Sequence, residues 1–156
     1  MSSLDRAAED HLTEYVTVML GEQLFGLPIS RVQDVFAPDR LTRVPLAPPE
    51  VAGILNLRGR IVTAIDMRCR LDLGKRPEGQ PMMAIGIEIK GESYGLLVDS
   101  VGEVMKIANK DCEPKPANLD ARLARVASGV VRLDGQLLVV LDVDRVLEVK
   151  RDAIAA

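Results

Sequence analysis

Short apolar runs broken by glycine turns organise this chain, and few of them exceed the length of a strand. YVTVML with QLFGLPI, and MMAIGIEI with SYGLLV, are paired runs around a Gly-Glu dipeptide, rich in the β-branched, aliphatic and small residues that suit hairpins. A second kind of pair follows in each half. GILNL and RIVTAID close through Arg58-Gly59, while GVVRL and QLLVVLD close through Asp134-Gly135, a strong two-residue turn signal. The runs IVTAI and LLVVL lack polar alternation, which predicts strands covered on both faces. SRVQD and DSVGE begin with helix-capping residue types and predict about one helical turn each, before VFAP and VMKI resume an extended pattern. MRCRL and DVDRVL predict short helices behind the capping aspartates Asp66 and Asp142.

The order of these pieces is repeated. GEQLFGLPISRVQDV (21–35) is answered by GESYGLLVDSVGEV (91–104), and GILNLRGRIVTAIDMRCRL (53–71) by GVVRLDGQLLVVLDVDRVL (129–147) without a gap. At a constant spacing of 76 residues the second match aligns Gly53 with Gly129, Leu57 with Leu133, Gly59 with Gly135 and Asp66 with Asp142. Two related all-β lobes follow, approximately 15–78 and 81–149, within a domain spanning 15–150. LDLGKRPEGQP is the polar linker between them; a flexible tail is expected over 1–14 and a C-terminal tail over 151–156.

Composition removes several functions. A net charge of -3 opposes binding to a phosphate backbone, and aromatics amount to 3% of the chain (Tyr15, Phe25, Phe36, Tyr94), so stacking platforms for nucleic acid are scarce. Cys69 and Cys112 stand far apart with no CxxC and no clustered histidine; they are expected as buried, reduced thiols, and no metal site is expected. His11 is the sole histidine and lies near the start, so no Ser/His/Asp or Cys/His set can be assembled. Phosphate-cradling glycine motifs are missing, and no cofactor is expected. The start carries charges where a signal peptide needs an apolar run, and no run of eighteen apolar residues occurs, which places the protein in the cytoplasm as an expectation.

In this order and spacing, GEQLFGLPISRVQDV, RLTRVPLAPPEVAGILNLRGRIVTAIDMR and SYGLLVDSVGEVM resemble the CheW family of chemotaxis coupling proteins, across roughly Tyr15 to Val149. The resemblance implies two five-stranded SH3-like β-barrels with an apolar core between them and short helical turns. It implies a non-enzymatic adaptor that binds the cytoplasmic tips of methyl-accepting chemoreceptors and the regulatory domain of the CheA histidine kinase, recruited from the cytoplasm to membrane-associated receptor arrays. The family's receptor-facing NLRG falls on Asn56, Leu57, Arg58 and Gly59, and its VQE on Val32, Gln33 and Asp34, with Asp34 in place of the commoner glutamate. Gly53 matches a glycine implicated in receptor contact.

Read from the residues themselves, Arg58 is either a solvated turn tip or a planar donor fork aimed at a partner, and Asp134 stands at the equivalent turn of the other copy. Val35 and Ile54 are expected as core, and Val32 as partly exposed. The first half carries a small basic excess and the second a small acidic one, which favours head-to-tail association with a similarly built domain. Two alternatives remain: a small-barrel nucleic-acid binder, and a hydrolase in which the repeat-related Asp66 and Asp142 share a proton. The second lacks the Thr/Ser-Gly that such a dyad uses after each aspartate.

Overall fold

The computed structural model describes residues 11–74, 77 and 79–148. Eleven strands form two sheets: β1 (Leu12–Leu20), β2 (Gln23–Pro28), β3 (Asp34–Phe36), β4 (Val51–Leu57), β5 (Arg60–Asp66), β6 (Met83–Ile89), β7 (Glu92–Val98), β8 (Ser100–Ala108), β9 (Cys112–Glu113), β10 (Ala127–Leu133) and β11 (Gln136–Leu141). The first sheet has the order β8-β1-β2-β11-β10-β9, and the second β3-β6-β7-β5-β4. Substituting each strand by its repeat counterpart converts the second order into the first, apart from the short β9. Even β9 has an echo, because Glu113 pairs with Val130 where the second sheet has an isolated bridge between Thr42 and Ile54.

The copies exchange hairpins. β1–β2 from the first half joins β11 of the second through a parallel ladder with Val139 opposite Phe25. β6–β7 from the second half joins β5 of the first the same way, with Thr63 opposite Tyr94. The boundary near residue 80 therefore divides the repeat in sequence but does not divide the sheets, each of which takes strands from both halves.

Three apolar clusters explain the unalternating runs. Val139 and Leu141 of β11, and Ile65 of β5, enter a central core with Val18, Phe25, Ile87, Tyr94 and Leu96, which joins the sheets. On the opposite face, Leu138 and Val140 pack with Tyr15, Ile107 and Val131 inside the six-stranded sheet. Val62 and Ala64 pack with Leu55, Ala84 and Leu97 inside the five-stranded one. The six-stranded sheet rolls far enough for the Tyr15 hydroxyl on β1 to lie 3.6 Å from the Cys112 sulfur on β9, four places away in strand order. Small residues line the bend of the other sheet: Asp34, Gly86, Gly95, Ala64 and Gly53 are in register across all five strands.

Glycine is required at the two repeat-related positions where the flanking loop crosses β4 and β10. A Cβ on Gly53 would collide with the Thr42 carbonyl, and one on Gly129 would lie 2.8 Å from the Glu113 carbonyl oxygen. A bulge precedes each glycine, between Val51 and Gly53 and between Ala127 and Gly129. Polar ties complete the frame. Arg68 grips Asp99 with two hydrogen bonds of 2.9 and 2.5 Å, and the same carboxylate accepts the Gly21 N–H at 2.8 Å, so three segments meet at one half-buried ion pair. Asp66 accepts from the Cys69 N–H and Asp142 from the Arg145 N–H, capping the helix Met67–Arg70 and its counterpart at 143–148. Arg70 then donates to the Val146 and Arg145 carbonyls, joining the two helices.

Several expectations change. Strand β1 begins at Leu12, so the expected 1–14 tail is ordered over its last residues; 1–10 and 151–156 lie outside the described residues. DSVGE is extended, because β8 runs from Ser100 along the nine-residue β1 and the ladder outcompetes a local cap; the helical turn at SRVQD is the 3-10 turn Ile29–Arg31. Val35 is 41% exposed, since its face of the short edge strand β3 is uncovered, and Ile54 is half-buried. Ile61 is exposed although it opens the IVTAI run, because the ladder to β7 begins one residue later at Val62. Cys69 lies exposed on the outer side of its helix, and Cys112 is half-buried on the edge strand β9; both thiols are free.

Replacing Gly53 by Ala forces the β4 backbone away from Thr42 and should cost about 2 kcal/mol or more, read as a lowered urea midpoint, with Gly129→Ala behaving alike. Burial, and then the hydrogen bond with Cys112, push the Tyr15 phenol from 10.0 up to about 12. The neutral phenol is favoured in the fold, so this contribution is intact below about pH 10 and is lost as pH rises through about 12. Alkaline unfolding curves of Tyr15→Phe should lack that component.

Candidate functional site

The hairpin joining β4 to β5 has Arg58 and Gly59 at φ 53 and 84, both left-handed, as the mirror-image turn of a tight two-residue hairpin demands. Glycine meets that demand freely, whereas arginine does so at a conformational cost. Asn56 offsets the cost: its Oδ1 accepts the Gly59 N–H at 2.9 Å, bracing the turn from within. Leu57 is half-buried against the small core of the five-stranded sheet and roots the hairpin. Arg58 is exposed, and none of the described residues forms an ion pair or hydrogen bond with it. The four residues of NLRG thus have separate duties, with the guanidinium presented and the other three holding it there.

Segment 32–34 leads into β3 at the edge of the same sheet. Val32 is half-buried against the central core, and its N–H closes the preceding turn on the Ile29 carbonyl at 3.1 Å. Asp34 faces Gly86 directly on β6, and its carboxylate fills the space a side chain at position 86 would need. Gly53 is buried, so its part in any contact is to let β4 pass beneath the loop. Residues 32 and 34 and the hairpin are therefore brought to one sheet, whereas Gly53 serves the backbone.

The structure adds side-chain contacts that the sequence does not reveal. Gln33 gives a side-chain hydrogen bond to Glu88 Oε2 at 2.6 Å and receives one from Arg60 Nη2 at 3.3 Å. These partners are 55 and 27 residues away, a separation that no periodic pattern reveals. Beside the hairpin, a cleft of about 490 Å³ is lined by Asp39, Arg40, Ile54, Asn56 and Ile61 among others. Its repeat counterpart at the end of the six-stranded sheet, about 380 Å³, includes Lys110, Asp111, Glu113, Val131 and Arg132. Aligned in sequence through the Thr42–Ile54 and Glu113–Val130 pairs, Asp39 corresponds to Lys110, Arg40 to Asp111, and, at the spacing of 76, Arg58 to Asp134. The sign of the charge is inverted at each.

Among the described residues no catalytic set gathers around these features. Among the described residues no group of three or more His, Cys, Asp or Glu side chains is placed to hold a metal ion. Each of the two repeat-related aspartates is committed to its own helix cap, and Asp142 also lies 3.6 Å from Arg145 Nε.

Comparison with known proteins gives the family. The CheW-like domain family matches residues 14–151. The chain belongs to the CheW-like family. It is similar to the chemotaxis protein CheW of Rhizobium meliloti, 28% identical over 143 residues that cover 89% of this chain and 92% of the relative. It is also similar to CheW of Treponema pallidum, 27% identical over 92% of this chain and 87% of the relative, and to protein FrzA of Myxococcus xanthus, 26% identical over 92% and 90%. Among solved structures, the scaffolding protein TtCheW from Thermoanaerobacter tengcongensis aligns with a TM-score of 0.74 and 33% identity, covering 83% of this chain and 88% of that one. The CheW-like chain is accordingly a chemotaxis scaffold and not an enzyme. Among the described residues no helix is long and apolar enough to cross a membrane.

Removing the brace should loosen the grip without unfolding the protein. Asn56→Ala is expected to cost about 1 kcal/mol, the worth of one turn-closing hydrogen bond, and to speed hydrogen exchange at the Gly59 amide while leaving core amides unchanged.

Proposed function

We propose that this CheW-like scaffold couples the cytoplasmic tips of methyl-accepting chemoreceptors to the regulatory domain of the CheA histidine kinase, with the β4–β5 hairpin as its receptor contact. The observation that carries the reading is Arg58, an exposed guanidinium with no partner among the described residues, held in a left-handed turn. A residue in that conformation is strained, and the strain is maintained by Asn56 from one side and by the rooted Leu57 from the other. Arg58 presents a planar donor fork suited to carboxylates or carbonyls on a helical tip, and its geometry is set before binding. Val32, Asp34, Asn56 and Leu57 complete the contact surface, while Gly53 and Gly59 shape the backbone beneath it. The adaptor acts in the cytoplasm, at receptor arrays on the membrane.

The kinase contact is assigned to the charge-inverted barrel ends. Two ends of related construction and opposite charge at equivalent positions favour stacking against a domain of like build, and Lys110, Asp111 and Asp134 are the groups that would set its register. A nucleic-acid partner is disfavoured by the placement of the aromatic rings. Tyr15, Phe25 and Tyr94 are at most 6% exposed, and Phe36 packs against the small core of its sheet, which leaves no stacking platform.

Arg58→Ala should weaken binding to a receptor signalling-tip fragment about 30-fold, equivalent to about 2 kcal/mol, with the thermal midpoint unchanged. Calorimetric titration measures the first and a melting curve the second; undiminished affinity would remove the hairpin from the receptor contact.

A further inference from the structure

The two parts of the proposed receptor surface, segment 32–34 and hairpin 56–60, come from separate stretches of chain and meet edge to edge only through the strands between them. β3 pairs with β6 at one end of the sheet, and β4 lies at the other. A direct side-chain link nevertheless crosses the gap. Arg60, two residues beyond Arg58 and the first of β5, donates to Gln33 Oε1, and Gln33 Nε2 donates to Glu88 on β6. Gln33 is also fastened through its backbone, whose N–H donates to the Gly86 carbonyl at 2.8 Å.

We infer that Gln33 is a positioning residue, whose side-chain amide spans Arg60 and Glu88 and so fixes Val32 and Asp34 relative to Arg58. The inference rests on reading these residues as one receptor surface. An amide is the side chain suited to this place, because it offers an acceptor to a cation and a donor to an anion at once. The charges of Arg60 and Glu88 therefore dictate which way the amide points. All three side chains are exposed, so the link adds little to the stability of a fold whose strands are already paired by backbone. Binding is different. A partner that must engage two segments together loses affinity when their relative position has to be ordered at the moment of contact.

An experiment follows from the two-sidedness of the amide. Arg60→Glu, Glu88→Arg and Gln33→Met each break the link, and each should weaken affinity for the receptor-tip fragment roughly three- to tenfold with an unchanged thermal midpoint. Combining Arg60→Glu with Glu88→Arg lets the amide turn over and rebuild the link in reverse at the same net charge, so affinity should return to within about twofold of the parent. With Gln33→Met added to the swap, that recovery should vanish. A partner-free measurement runs alongside: the side-chain amide resonances of Gln33 should move in each charge variant and move again in the swap.

Singles that bind as the parent does, or a swap no better than its singles, would overturn the inference, as would amide resonances indifferent to positions 60 and 88. Direct contact between the partner and the Arg60 charge would likewise leave the swap as weak as Arg60→Glu, and so overturns it too. Failure of the parent itself to bind the fragment, with the amide responding as expected, would refute the receptor reading and the positioning role with it.

Discussion

Two parallel ladders, β2 with β11 and β5 with β7, hold the molecule together, because each is the seam at which a hairpin from one half of the chain enters the sheet of the other. Every other strand pairing among the described residues is antiparallel. At the seams the residues opposite one another include Phe25 with Val139 and Tyr94 with Thr63, so the two largest fully buried side chains sit at the junctions and face the shared core. Neither half can bury its first hairpin alone. The ladder between β2 and β11 joins residues more than a hundred positions apart, so its closure entropy must be offset by the central core that forms with it. The proposed receptor contact inherits this dependence: Arg58 and Asp34 are carried by β3, β4 and β5 of the first half, but β6 and β7 of the second lie between them in the sheet.

Much of this architecture was legible in the chain. The repeat at 76 residues, the four hairpins and the two capping aspartates follow from local chemistry, since glycine turns, β-branched runs and caps act within a few residues of themselves. The exchange of hairpins was not, because a strand's alternation says which face it buries and not which neighbour it pairs with. The misread positions have the same origin. Val35 looks like core to any local rule, yet its face on a three-residue edge strand has nothing over it. Cys69 reads as a small buried thiol, but the helix turns it outward while Met67 takes the interior. The Gln33 link joins residues that only the folded sheet makes neighbours.

Duplication also shows what the hairpin tip owes to the fold and what it does not. Gly59 and Gly135 recur because both loops must reverse, and Leu57 and Leu133 recur because both hairpins need a root in a small core. Asn56 does not recur: Arg132 stands in its place, and it pairs with Glu113 across the strand at 3.0 Å instead of bracing its turn. The left-handed Arg58 and its asparagine brace therefore belong to one copy, with Asp134 at the other tip. Features common to both copies serve the fold, and features confined to one are free to serve a partner.

The same logic extends to the sheet ends. Positions 39, 40 and 58 and their counterparts 110, 111 and 134 are exposed in both copies, so the fold is indifferent to the sign of the charge they carry. Equal charges at both ends would have been as stable for a lone molecule, but would have repelled when one end approached another of the same construction. Inversion at three equivalent places replaces that repulsion by attraction in one orientation and retains it in the reverse one. It thereby selects head-to-tail contact over head-to-head with side chains that contribute almost nothing to folding. A scaffold built by duplication thus separates stability from recognition in space: buried ladders and cores fix the shape, and the polar rims that the repeat left unconstrained decide what that shape can meet.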